Sequence, residues 1–294
     1  MKQKFLRAIA ALALLAAGGC LNVKQLVVVN PDGSGSIVVS SVYPPETVAM
    51  MTQMAGLQNL GGDTTAAAPA ADLFYNEDQL REAAAQFGEG VALEKSEKID
   101  KDGTRGAIAV YAFKDISRVK LNTRQNMQMG EAMGAVKNGV DASSGDFVQF
   151  AFAKGDPSRL TILMPQLKSA AAGSAGASPV KKTDAQIPPE LAALGGLGGA
   201  GAGAMTMQMF KGMEISFAVQ VKGRVIKHNA SHQDGEHKDR FILLGMKFDD
   251  LISSPEFQKI ANENVTDQGE MMKKFYSLPG ANLETNREVI VEFK

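Results

Sequence analysis

Pairs of apolar, β-branched runs separated by short turn segments constrain the fold of this chain more than any other feature. Three such pairs are Val23–Val29 with Ile37–Val42, Val91–Ile99 with Ala107–Phe113, and Phe147–Ala153 with Leu160–Met164. Apolar and polar residues alternate with a period of two in VQFAFA and LTILM, which indicates strands with one buried face. Because short turns join neighbouring antiparallel strands, the sequence predicts a sheet built from hairpins.

The C-terminal part continues this pattern. We predict a fourth hairpin from Ile215–Val221 and Arg224–Lys227, a further strand at Phe241–Phe248, and a last strand in REVIVEF. Between the hairpins, Pro45 is suited to the first turn of a helix, which we expect to end at Gly56.

Other helices are marked by their caps. Asn76 followed by Gln79 is typical of a helix N-terminus, and Ser253 or Ser254 and Asp267 are candidate caps of two short helices near the end. Hairpins with helices between them favour an α+β fold rather than an alternating βαβ order. We therefore predict a curved antiparallel β-sheet with a few packed helices.

The chain is expected to contain one such domain, interrupted once. Residues 1–19 are predicted to be a signal peptide, 20–168 and 205–294 the two parts of a single α+β domain, and 169–204 a flexible insert. The insert is rich in Gly, Ala, Ser and Pro and lacks the large apolar residues that a core requires.

The first twenty residues have the three parts of a secretory signal. Lys2, Lys4 and Arg7 precede an apolar run from Ala8 to Ala17, and small residues follow. The run is too short to span a bilayer. Cys20, the only cysteine of the 294 residues, ends this segment, so an intrachain disulfide or a cysteine zinc cluster is excluded.

The stretch LLAAGGC resembles the lipobox of bacterial lipoproteins, although Ala17 occupies a position where that family usually has leucine. The resemblance implies cleavage before Cys20 and lipidation of its thiol, for example with palmitate, which would hold the protein on the membrane. It also implies a lipid-anchored location on the cell membrane or the outer membrane, facing the periplasm. Leu21 favours the outer membrane, since it is not the Asp that retains enteric lipoproteins in the inner membrane. The alternative is ordinary signal cleavage that leaves a free thiol.

Charge limits the class of partner. The chain has 31 Lys and Arg against 32 Asp and Glu, whereas nucleic-acid binding requires a basic surface. We therefore expect no nucleic-acid partner. The expected partners are the membrane, through acylated Cys20, and a protein or lipid of the cell envelope.

The turn segment NPDGSGS supports two interpretations. Asp32, Ser34 and Ser36 form the D-x-S-x-S pattern with which von Willebrand A-type domains bind a divalent metal, and this would make the protein a metal-dependent adhesion module. The other interpretation is a hairpin with Pro31 and Asp32 at the central positions of a type I turn that starts at Asn30. We favour the turn, because a β-branched run follows Ser36 directly and leaves no room for the helix of that domain.

All three histidines lie in one polar segment, HNASHQDGEH, as His228, His232 and His237. Imidazoles and neighbouring carboxylates can bind zinc, but this spacing fits neither a helix face nor a zinc finger. The segment is also typical of a solvated loop. No cofactor motif and no catalytic triad, P-loop or HExxH motif occurs in a supporting context, so we predict a non-enzymatic protein without a cofactor.

Taken in order, these segments carry a family resemblance. The lipobox cysteine, LVVVNPDGSGSIVVSSVYP and MEISFAVQVKGRVIKHNAS resemble bacterial envelope lipoproteins, including the LppM-type domain. The shared features are a strand–DGSG–strand hairpin and a late strand–Gly–strand–Asn unit at Gly223 and Asn229. The resemblance implies a β-rich envelope domain without catalytic residues.

Overall fold

The structure is a computed structural model that describes residues 22–60, 73–122, 147–165, 212–262, 274 and 277–294. The chain divides into two compact units. The larger contains Met1–Gln166, Glu214–Met246 and Asn282–Lys294, and the smaller contains Leu167–Met213 and Lys247–Ala281. The predicted signal peptide at 1–19 and insert at 169–204 lie outside the described residues, so these boundaries stay predictions.

The described part of the chain has twelve strands and four α-helices. The strands are β1 Asn22–Val29, β2 Gly35–Tyr43, β3 Ala92–Lys101, β4 Thr104–Phe113, β5 Lys120–Asn122, β6 Phe147–Ala153, β7 Ser158–Leu163, β8 Glu214–Val221, β9 Val225–His228, β10 Arg240–Lys247, β11 Ala281–Leu283 and β12 Glu288–Phe293. The helices are α1 Pro45–Leu60, α2 Glu77–Ala83, α3 Phe248–Ser253 and α4 Pro255–Asn262.

Seven strands form the first sheet, in the order β11-β10-β8-β1-β2-β4-β3. Strand β1 lies inside this sheet, where it pairs antiparallel with β2 and parallel with β8. A row of large side chains crosses four strands on one face. Val27 pairs with Ile37 and Val219, Ile37 pairs with Tyr111, and each is at most 1% exposed. Burial of such side chains stabilises the fold by roughly 1.5–3 kcal/mol each.

Five strands form the second sheet, in the order β5-β6-β7-β12-β9. Its strands alternate as the sequence predicts. Phe150 on β6, Leu160 and Ile162 on β7, and Val289 and Val291 on β12 are buried, while the residues between them are partly or fully exposed. One face of this sheet therefore contributes to the core.

The α+β class predicted from the sequence is confirmed, and so are the hairpins β1–β2, β3–β4 and β6–β7. The single antiparallel sheet is instead two sheets, one of which contains the parallel pair of β1 and β8. That pairing brings a strand from the C-terminal part of the chain next to the first strand.

The predicted hairpin around Gly223 is wrong, because β8 and β9 belong to different sheets. Gly223 has φ of +137°, and a Cβ there would lie 2.1 Å from the carbonyl oxygen of Lys294. On one side of Gly223, the Lys222 N–H donates to the Val29 carbonyl at 2.7 Å. On the other side, the Arg224 N–H donates to the Lys294 carbonyl at 2.8 Å. The chain passes from one sheet to the other at this glycine.

The helices of the larger unit differ in how well the sequence marks their ends. Helix α1 continues through Gly56 to Leu60, so the predicted stop at Gly56 is wrong. Glycine lowers helix propensity by about 1 kcal/mol but does not prevent helical dihedral angles. Helix α2 begins as predicted, since the side chain of Asn76 accepts a hydrogen bond from the Gln79 N–H at 3.1 Å.

The smaller unit contains α3 and α4 among its described residues. Leu251 and Leu278 are buried in it, and the Phe248 N–H donates to the Met213 carbonyl at 3.0 Å. Ser254 precedes α4 and accepts from the Phe257 N–H at 3.1 Å, which confirms one of the two predicted caps, whereas Asp267 lies outside the described residues. No helix in the described ranges has the length and apolar character to cross a bilayer.

Candidate functional site

Cys20, the predicted lipidation site, lies outside the described residues. The first strand, β1, begins at Asn22, so only Leu21 separates Cys20 from the folded sheet. A group attached to Cys20 would therefore be tied to the first residues of β1.

The segment Asn30–Ser34 forms the turn between β1 and β2. The Gly33 N–H donates to the Asn30 carbonyl at 3.0 Å, as expected for a turn with Pro31 and Asp32 at its centre, and the Asn30 N–H donates to the Ser34 carbonyl at 2.8 Å. Gly33 has φ of +86°, a conformation that favours glycine. This pattern is a three-residue hairpin loop with a left-handed glycine, as the turn interpretation predicts.

The Asp32 carboxylate is engaged within this turn. Its Oδ1 accepts from the Ser34 hydroxyl at 2.6 Å and from the Ser34 N–H at 3.0 Å. Both hydrogen bonds lower the pKa of Asp32 below its ordinary value, and the bond from the Ser34 hydroxyl has the larger effect. The structure thus joins Asp32 to Ser34 and places Ser36 within β2, paired with Val28 and Ala112. The turn leads into a strand and not into a helix.

The three histidines of the polar segment have separate surroundings. The ring of His228 lies 4.9 Å from that of Phe241, the Nε2 of His232 is 3.1 Å from the Leu283 carbonyl, and the backbone N–H of His237 donates to Asp234. Within the described ranges no group of three or more His, Cys, Asp or Glu is placed to hold a metal ion. Each histidine instead contacts its own neighbours.

Sequence analysis missed the best-connected polar residue of this region, Glu284. Its side chain is buried, at 4% exposure, and accepts from the Ser231 N–H, the Ser231 hydroxyl and the Asn286 N–H at 2.7, 2.7 and 2.8 Å. The Asn286 amide also donates to the Asn229 carbonyl at 2.8 Å, and Asn229 accepts from the Ile290 N–H at 2.6 Å. We call Asn229, Ser231, Glu284 and Asn286 the Glu284 cluster; it joins the segment after β9 to the segment before β12.

A shallow groove of about 580 Å³ lies beside α2 in the larger unit. Ala84, Val91 and Leu93 line its apolar part, and Arg81, Glu89 and Lys120 carry charges around it. Arg81 pairs with Glu77 at 2.8 Å and Glu89 with Arg118 at 3.2 Å, and these side chains are largely exposed. The groove thus combines small apolar side chains with charged side chains on an open surface.

Comparison with known proteins gives one structural likeness. No protein-family model and no curated protein matches the sequence. The chain is similar to the NMR structure of the folded domain of the Mycobacterium tuberculosis LppM protein, with 12% identity, coverage of 94% of this chain and 92% of that chain, and a TM-score of 0.32. A TM-score of 0.32 is below the level at which two chains share a fold, so the likeness carries no argument about the site or the function.

Proposed function

We propose that this chain is a lipid-anchored protein of the bacterial cell envelope, acylated at Cys20, which acts by binding a partner and not by catalysis. The observation that carries the proposal is the position of Cys20. The only cysteine of the chain follows an apolar run and two glycines, as in a lipobox. Several acyl chains on one cysteine anchor a protein stably, because each buried methylene contributes about 0.8 kcal/mol.

The start of the fold supports this proposal. Cleavage before Cys20 would remove only residues that precede β1, which begins at Asn22. The complete seven-stranded sheet would then remain on the mature chain. Leu21 at the position after the anchor favours the outer membrane, with the protein facing the periplasm.

The proposed partner is a protein or a lipid of the envelope. The groove beside α2 supports partner binding, because its lining combines apolar side chains such as Leu93 with exposed charges such as Lys120. The other candidate is a metal-dependent adhesion module that uses Asp32, Ser34 and Ser36. It is favoured only by the D-x-S-x-S spacing, and titration with divalent cations tests it.

Cys20→Ser tests the anchor. We expect the wild-type chain to incorporate labelled palmitate and to sediment with membranes, and the variant to lose the label and move to the soluble fraction. Leu21→Asp is the matched control, since it changes the neighbouring residue but keeps the thiol and should keep the label. Membrane association of Cys20→Ser in high salt would show that the lipoprotein proposal is wrong.

The partner is tested by cross-linking the anchored protein in intact cells and identifying what is captured. We expect capture to decrease when Lys120→Glu and Leu93→Asp alter the groove, and to be unchanged by Lys114→Glu, which lies outside it. Equal capture by all three variants would exclude the groove as the binding surface.

A further inference from the structure

We infer that one end of the seven-stranded sheet, the end at which β1 begins, lies against the surface of the bilayer that holds the acyl chains. This inference rests on the proposed acylation of Cys20. Two residues of extended chain span at most about 7 Å, so the Cα of Asn22 cannot be farther than that from the Cα of Cys20. Asn22 is already the first residue of β1, which is paired with β2 from this point. The sheet therefore has no long linker that could move it away from the membrane.

Strand pairing identifies the other residues at this edge. Asn22 pairs with Val42 on one side and with Glu214, the first residue of β8, on the other, Tyr43 pairs with Arg105, and Lys101 pairs with Thr104. The starts of β1 and β8, the end of β2 and the turn between β3 and β4 thus lie at the same end of the strands. We call this end the base edge, made of Asn22, Tyr43–Pro45, Lys101–Arg105 and Glu214.

The start of α1 belongs to the same edge. A Cβ placed on Gly103 would lie 3.2 Å from the side chain of Pro45, so the β3–β4 turn packs directly on the first helical residue. The residues at the tip of this turn, Lys101 to Gly103, are exposed. The β3–β4 turn and the start of α1 therefore form one packed part of the base edge.

A large apolar side chain is exposed next to the base edge. Leu73 is 44% exposed, whereas its neighbour Phe74 is buried with its ring 5.4 Å from that of Tyr43. The hydroxyl of Tyr75, the next residue, is hydrogen-bonded to the hydroxyl of Ser96 at 2.9 Å. Ser96 lies on β3, farther from the base edge than Lys101. Leu73 is exposed and directly precedes Phe74, whose ring contacts Tyr43 of the base edge, so we infer that Leu73 contacts lipid there.

The charges of this edge nearly balance. Lys98 and Arg105 both lie 3.9 Å from Asp100, Lys24 lies 2.9 Å from Glu214, and the turn adds Lys101 and Asp102. Anionic lipids attract clusters of several unpaired basic residues, and the base edge has no such excess. The acyl chains and Leu73 should therefore hold this edge on the bilayer with little dependence on salt.

The opposite edge of the sheet is then directed away from the bilayer. Strand β4 spans about 30 Å from Thr104 to Phe113, given its rise of about 3.3 Å per residue. Lys114, the exposed residue that follows Phe113, marks this far edge together with the Asn30–Ser34 turn.

The cysteine content of the chain makes the test simple. Cys20 is the only native cysteine and acylation consumes its thiol, so a newly introduced cysteine is the single reactive thiol of the protein. We would introduce Leu73→Cys or Lys101→Cys at the base and Lys114→Cys at the far edge as the matched control. Each acylated, full-length mature protein would be labelled with the same environment-sensitive fluorophore and placed in phosphatidylcholine vesicles that contain a lipid with a nitroxide on its headgroup.

We expect several-fold stronger quenching at positions 73 and 101 than at 114, at both low and high salt. Equal quenching at all three positions, or stronger quenching at 114, in protein that carries palmitate and co-floats with vesicles would overturn the orientation and leave the anchor intact. Protein that carries no palmitate and does not co-float would overturn the proposed function and the orientation with it. Circular dichroism of each labelled variant verifies that the sheet is retained.

Discussion

Two carboxylates in this molecule bind a serine through the same pair of hydrogen bonds, but in opposite environments. Asp32 accepts from the N–H and the hydroxyl of Ser34, two residues away, on the exposed surface. Glu284 accepts from the N–H and the hydroxyl of Ser231, and its side chain is buried. Asp32 and Ser34 are neighbours in the sequence, whereas the hydrogen bonds between Glu284 and Ser231 join segments far apart in the chain.

We therefore expect burial, and not the hydrogen-bond geometry alone, to determine how much each carboxylate stabilises the fold. Water can replace the Asp32 carboxylate at the N–H of Ser34, because that turn is exposed. At the Glu284 cluster, loss of the carboxylate leaves the N–H groups of Ser231 and Asn286 without their acceptor in a part-buried setting. An unsatisfied buried donor costs about 1–3 kcal/mol, which is more than a typical hydrogen bond contributes.

The largest effect should follow from Glu284→Ala. We expect the free energy of unfolding to fall by about 3 kcal/mol, since the Ser231 and Asn286 donors lose one shared acceptor. Asp32→Ala, the exposed counterpart, should lower it by less than about 1 kcal/mol. Urea denaturation followed by circular dichroism measures both values, and equal losses would mean that burial does not separate the two carboxylates.

An intermediate effect is expected at the glycine of the Asn30–Ser34 turn. A Cβ on Gly33 would lie 2.7 Å from the ring of Phe152, whereas a Cβ on Gly90 would meet nothing within 4 Å, and the two glycines have similar φ of +86° and +77°. Gly90→Ala should therefore lower the free energy of unfolding by about 1 kcal/mol through backbone strain alone. Gly33→Ala should lower it by about 2 kcal/mol, because the ring must also move.

Denaturation of the two alanine variants side by side isolates the contact with Phe152, since the strain in φ is common to both. A Gly33→Ala variant no less stable than Gly90→Ala would show that the ring of Phe152 adjusts freely. In that case the turn is determined by its backbone only.

The smallest effect is expected from the double variant Ser34→Ala and Ser36→Ala. Both hydroxyls lie outside the core, so the free energy of unfolding should change by no more than roughly 0.5 kcal/mol. Calorimetric titration of the wild type with Mg²⁺, Mn²⁺ and Ca²⁺ should show no saturable binding. Saturable binding that disappears in the double variant would instead establish the metal-dependent adhesion module and overturn the proposed function.

The same variant changes the titration of Asp32. Loss of the Ser34 hydroxyl should raise the pKa of Asp32 toward its ordinary value, which NMR of the side-chain carboxyl carbon can follow. The lowered pKa of the folded state stabilises the protein above the pKa of the unfolded state. That stabilisation is lost as the pH falls through the folded pKa, and it is small because the carboxylate is exposed.

Features coded by neighbouring residues were predictable from the sequence. The Asn30–Ser34 turn, the Asn76 cap and three hairpins follow from short-range patterns that physical rules describe. The pairing of strands that lie far apart in the sequence, such as β1 with β8, was not predictable in this way. A glycine between two apolar runs can mark either a hairpin or a passage between sheets, and at Gly223 the distinction depends on distant residues such as Val29 and Lys294.

The Glu284 cluster was invisible for the same reason. In the segment NLETNRE, Glu284 and Asn286 have the composition of an ordinary polar loop. Their role arises from Ser231 and Asn229, which pairing of the strands brings close. No pattern within either segment could have indicated which carboxylate is buried.

The parallel pairing of β1 with β8 also affects the order in which the protein can fold. Asn22 pairs with Glu214, so the first strand completes its hydrogen bonds only after most of the chain has been synthesised. Contacts of such sequence separation form slowly, because a large loop must be closed first. Until β8 arrives, one edge of the β1–β2 hairpin stays open to other chains. A chaperone that covers this edge until β8 is available would raise the yield of folded protein.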